Sequence, residues 1–246
     1  MSPDVLVSVV LGNPEGSIAL TELFPKWTNK LPAATAVLAV LGAPSLVFVI
    51  WYYFSPWNTD VGYQPEQPVP YSHKLHAGLF GMDCRYCHQN VEKGPHATIP
   101  PAQTCMNCHS LVKTESPLLE PVRESWKAAL LGDDNSPVPW VKVHLLPDYA
   151  YFDHSAHVKV SPEAGIGCAS CHGRVDQMEI VRQTQPLSMG WCLECHRNPE
   201  KHLRPASEVT NMGYQPTESV AKQLMSAAAK AGRPINPPTH CSACHR

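Results

Sequence analysis

The sequence predicts a mostly irregular chain with short α-helices, organised in repeated units and carried on one N-terminal transmembrane helix. Three observations predict it. Ala33 to Phe54 is a 22-residue run without a charged side chain. All ten cysteines fall into Cys-x-x-Cys pairs, and His follows the second Cys of every pair. An aromatic-x-His-x-x-His segment occurs twice, each time ahead of two such motifs. With 25 prolines and only 16% charged residues, the remainder favours loops, and a loop-rich chain needs an internal staple in place of a large apolar core.

Residues 1–32 read as a short cytoplasmic lead, with Val5 to Leu11 along the membrane surface. The 33–54 run, at about 1.5 Å per residue, reaches about 33 Å and so crosses a bilayer core. Trp51, Tyr52, Tyr53 and Trp57 make an aromatic belt at its far end. Pro44, beside Gly42 and Ala43, is expected to kink the helix and let a partner helix approach. Lys26 and Lys30 precede the span and the next basic residue is Lys74, which places the N-terminus inside and the rest of the chain outside. The run starts too far in, and lacks a small-residue cleavage site, for a removed signal peptide; it reads as an uncleaved anchor. Residues 55–70, ending DVGYQPEQPVP, form an extended linker.

The cysteine motifs are Cys84/Cys87/His88, Cys105/Cys108/His109, Cys168/Cys171/His172, Cys192/Cys195/His196 and Cys241/Cys244/His245. Two thiols three residues apart can each add to one vinyl group on a single porphyrin edge, and the following His then reaches the iron. Zinc ribbons use paired Cys-x-x-Cys but do not require His after each pair, and an odd number of pairs leaves one unmatched. A disulfide framework leaves the five histidines unexplained. The expected cofactors are therefore five covalently bound heme c groups.

Beyond the linker the chain repeats. A diheme unit, 71–112, opens Tyr71-Ser-His73-Lys-Leu-His76 and carries the motifs at Cys84 and Cys105; a connector spans 113–151; a triheme unit, 152–246, opens Phe152-Asp-His154-Ser-Ala-His157 and carries the rest. Six-coordinate electron-transfer hemes need a distal ligand as well as the proximal His. Histidines three apart on a helical turn project from one side and can serve two adjacent hemes, so His73, His76, His154 and His157 are assigned as distal ligands. His96, His144, His202 and His240 read by default as surface or hydrogen-bonding residues. Helices are expected over Glu115–Leu131, started or interrupted by Pro117 and Pro121, and over Glu218–Ala231, with an extended piece over Pro137–Tyr151. Trp126, Trp140 and Trp191 are assigned to packing or to covering heme faces.

The net charge of -2 argues against a nucleic-acid partner bound through a basic patch. A nitrite- or hydroxylamine-converting cytochrome would need one heme with an open distal side; no motif has Lys in place of its His, and distal candidates are plentiful. The chain thus reads as an electron carrier rather than an enzyme.

His73-Lys-Leu-His76, Asp83-Cys84-Arg-Tyr-Cys87-His88, Ile99-Pro100 ahead of Cys105-Met-Asn-Cys108-His109, and Pro186-Leu-Ser-Met189-Gly-Trp-Cys192 resemble the pentaheme subunit of bacterial alternative complex III, from the anchor onward. The units also resemble class III multiheme cytochromes c. The first resemblance implies a subunit of a quinol:electron-acceptor oxidoreductase in the bacterial inner membrane, its heme domain periplasmic. It further implies an iron-sulfur subunit, quinol-binding membrane subunits and a monoheme cytochrome c as partners. A stand-alone quinol dehydrogenase feeding periplasmic reductases is the alternative. In the triheme cytochromes the ligand for the last heme sits just before the preceding motif, which points to Met189 as the fifth distal ligand, with Met178, Met212, His202 and His144 as the other candidates.

Overall fold

The computed structural model describes residues 8–11, 19–22, 25–54, 60–133 and 136–245. Trp57 and the first residues of the expected linker lie outside them, as do the first residues of the lead. The chain divides into two compact units, Met1–Asn58 and Thr59–Arg246.

In the first unit, strands β1 (Ser8–Leu11) and β2 (Ala19–Glu22) pair antiparallel, with Ser8 opposite Glu22. The described part of the Val5 to Leu11 stretch is thus the first strand of a hairpin. A 3-10 turn, Lys26–Lys30, then runs into helix α1, Leu31–Phe54. Its 24 residues, at about 1.5 Å each, span about 36 Å, and none of its side chains is buried. Lys26–Phe54 is long and apolar enough to cross a membrane.

In the second unit, short helices are joined by long irregular segments. They are α2 (Cys84–Cys87), α3 (Ala102–His109), α4 (Glu120–Leu130), α5 (His154–Val158), α6 (Cys168–His172), α7 (Met189–Arg197), α8 (Glu218–Lys230) and α9 (Cys241–Cys244). Strands β3 (Ala164–Ile166) and β4 (Leu203–Pro205) pair antiparallel. Among the described residues the apolar side chains gather in two small clusters. One joins Ala164, Ile166, Leu203 and Ala221; the other joins Val69, Met106 and Val122, with Trp126 and Trp140 packed against it.

Two sequence readings change. The helix expected from Glu115 begins only at Glu120, after a separate 3-10 turn at Pro117–Leu119. The residue before a proline is pushed toward extended backbone, and Ser116, at ψ 124, takes it. Among the described residues Pro137–Tyr151 makes no strand; its β-pairing is an isolated bridge, Ala150 to His245. A side chain partly replaces the missing ladder: Gln67 Oε1 accepts from the Val141 N–H at 2.9 Å and its Nε2 donates to the Val141 carbonyl at 2.8 Å.

Candidate heme c sites

Each cysteine pair lies on one helical turn, which brings both thiols and the next His to one side. Asp83 caps α2, accepting from the Arg85 N–H at 2.8 Å while Arg85 Nε and Nη2 close a fork on the same carboxylate at 2.9 and 2.8 Å. Arg85 and Thr210 hold the Asp83 carboxyl down to about 2. Asp153 caps α5 and Ser188 caps α7 in the same way. None of the ten cysteines is bridged. Among the described residues no group of three or more His, Cys, Asp or Glu is arranged to hold a metal.

The histidines come instead in facing pairs. Ring centroids are 6.3 Å apart for His76 and His109, 6.3 Å for His154 and His172, and 6.1 Å for His157 and His196. Two imidazole nitrogens each bound to one metal at about 2.0 Å would put the ring centroids about 6 Å apart. The donor spacing therefore fits a heme iron held from both sides. His73 faces the His88 and His76 surroundings, and burial first, then those two neighbours, pushes its bare imidazole down to about 4. Burial, with His144 and His154 nearby, holds His172 at about 3. Imidazoles kept neutral in this way keep the lone pair a metal requires.

The second ring nitrogens are anchored too. His88 Nδ1 donates to the Thr98 carbonyl at 2.7 Å, His109 to Val112 at 3.0 Å, His196 to Pro238 at 2.7 Å and His245 to Tyr149 at 3.2 Å. His76 donates to Ser72 at 2.8 Å, His154 to Pro95 at 2.6 Å and His157 to Asp153 at 2.7 Å. A carbonyl accepts only from N–H, so each such bond leaves Nε2 unprotonated, with its lone pair free for a metal, and fixes ring orientation.

No protein-family model matches the chain. It is 34% identical, over 163 residues, to the multiheme cytochrome c subunit of menaquinone reductase from Nitratidesulfovibrio vulgaris strain Hildenborough; the match covers 57% of this chain and 71% of that relative. The chain belongs to the multiheme cytochrome c family. It carries covalently bound heme c, and its work is electron transport in a membrane-associated respiratory assembly.

Within this cytochrome the five motifs form a series of neighbours. The Cys84 and Cys168 sulfurs lie side by side. Cys87 stands near Cys105, and Cys192 near Cys244. Cys171 stands close to Cys195 and Cys192. Sequence reasoning left the other histidines in the background. His96 and His240 are exposed, and His202 is half-buried. His144 is different: its Nε2 lies 3.3 Å from His172 Nδ1, with the rings edge to face at 4.4 Å. Nothing in local spacing marks this contact, because it joins residues 28 apart across an irregular segment. The candidate methionines also separate: Met178 is 6% exposed and its carbonyl accepts from Lys74, Met212 lines the cleft beside Asp83 and Cys84, and Met189 is 62% exposed at the start of α7.

Proposed function

We propose that this cytochrome is a single-pass, membrane-anchored pentaheme subunit that accepts electrons from quinol oxidation and delivers them to an acceptor within a respiratory complex. Three facing imidazole pairs at 6.1–6.3 Å carry the reading. Heme c supplies one-electron storage at iron when bound. The chain's residues do the rest. Cys84 and Cys87, Cys105 and Cys108, Cys168 and Cys171, Cys192 and Cys195, and Cys241 and Cys244 tether the five groups. His88, His109, His172, His196 and His245 hold them from the proximal side, and His73, His76, His154 and His157 from the distal side.

Met189 completes the set for the terminal site. Cys192, three residues along α7 from Met189, neighbours Cys244, so the start of α7 is close to the last motif, and Met189 keeps an exposed thioether where Met178 and Met212 are enclosed. A thioether ligand raises the potential of that site above the bis-imidazole ones. The neighbouring thiols support a series in the order Cys105, Cys84, Cys168, Cys192, Cys241, with the first and last motifs as its ends.

The relative's name as a menaquinone reductase subunit supports a quinone-linked assembly, and the resemblance noted above supports iron-sulfur, quinol-binding and monoheme cytochrome partners. Lys26 and Lys30 ahead of α1 support a cytoplasmic N-terminus and a periplasmic heme domain. The test is a pyridine hemochrome assay on denatured protein with mass analysis of its heme peptides. Five thioether-linked hemes per chain, one on each motif, is the expected result; fewer than four would refute the pentaheme reading.

A further inference from the structure

We infer that His144 is a positioning residue for His172, singling out the site at Cys168 by giving its proximal imidazole a side-chain acceptor. The inference rests on the reading of His172 as an axial ligand. The other four proximal histidines place Nδ1 on a main-chain carbonyl, of Thr98, Val112, Pro238 or Tyr149. His172 places it on His144 Nε2 at 3.3 Å. With His172 Nε2 committed to iron, Nδ1 carries the proton and donates, so His144 Nε2 accepts.

The ring geometry agrees with that division. His144 meets His172 edge to face, at 83°, while His154 stands parallel to His172, at 6°, and 6.3 Å away. The perpendicular neighbour meets the Nδ1 edge of His172, and the parallel one stands at the spacing of a second imidazole ligand. A hydrogen bond from a ligating imidazole fixes its orientation and raises its basicity. A more basic ligand favours the oxidised iron, so the bond lowers the potential of that site. A carbonyl acceptor belongs to the backbone and cannot be removed by substitution; this acceptor can.

The experiment compares the full chain with His144→Leu and His144→Gln, using redox titration followed by optical and electron paramagnetic resonance spectra, with heme peptides counted by mass. His144→Leu should move one titration step to higher potential and leave the others in place. His144→Gln, which restores an acceptor, should return that step most of the way. If no step moves in His144→Leu, if all move together, or if His144→Gln behaves like His144→Leu, the inference is overturned. A new high-spin signal in His144→Leu would overturn it in another way, by making His144 itself an iron ligand. Absence of heme on the Cys168–Cys171 peptide of the unaltered chain would instead refute the underlying reading of the site.

Discussion

The two aromatic-x-His-x-x-His segments build the same cluster on different supports. Tyr71 meets His73 edge-on at 4.7 Å and 86° and stacks on His76 at 4.4 Å and 23°. Phe152 meets His154 at 4.8 Å and 86° and stacks on His157 at 4.5 Å and 28°. Yet the backbone beneath the first is a π-helical turn, Lys74–Leu79, and beneath the second an α-helix capped by Asp153. Gly78 lets the first turn press against the Asp176 carbonyl, which a Cβ would clash with. The anchoring differs as well: His154 Nδ1 reaches the Pro95 carbonyl, 59 residues away, whereas His73 Nδ1 is buried without a partner among the described residues. Ring geometry is thus set by the aromatic and the three-residue spacing, and the backbone is free to vary under it.

Removing the proposed distal ligands should give the largest effects and expose that difference. His73→Ala and His154→Ala should each produce one high-spin heme in the optical spectrum. His154→Ala should also lose about 1 kcal/mol more stability, the worth of its hydrogen bond to Pro95. Equal urea midpoints for the two variants would erase the contrast.

The shared aromatic shelf predicts an intermediate and matched effect. Tyr71→Ala and Phe152→Ala should each cost about 2 kcal/mol, less than the loss of a fully buried ring because both are half-exposed. Urea unfolding monitored by heme absorbance measures it. A difference above about 1 kcal/mol would show that the two clusters do not carry equal weight.

The smallest effect concerns the aspartate caps. Asp83 is depressed to about 2, chiefly by Arg85, and Asp153 is depressed chiefly by Ser155. A carboxylate depressed in the folded state stabilises above its unfolded value of about 4, and that contribution is lost as pH falls through the folded value. Asp83→Asn should therefore lower the unfolding temperature by about 2 °C at neutral pH, with the gap to the parent closing between about pH 4 and pH 2. Asp153→Asn should follow the same trend. A gap that persists below pH 2 would show that the carboxylate charge is not what the cap supplies.

Much of this was legible in short-range patterns. α8 was expected to end at Ala231 and ends at Lys230. The β1–β2 hairpin was missed, although Gly12, Asn13, Pro14 and Gly16 between two apolar stretches are turn formers. The late start of α4 and the absence of a strand over Pro137–Tyr151 reflect tertiary override: proline geometry in the first case, and a Gln67 side chain taking the ladder positions of Val141 in the second.

By itself the sequence determined the five cysteine motifs, the two histidine pairs and the apolar span, because each is a matter of spacing within one turn or one run of chain. Only the tertiary structure decided which carbonyls receive His88, His109, His154, His196 and His245, that Cys84 lies beside Cys168, and that His144 rests on His172. Those contacts join segments with no common period through loops whose course no local propensity dictates, so they become visible only once the chain has closed on itself.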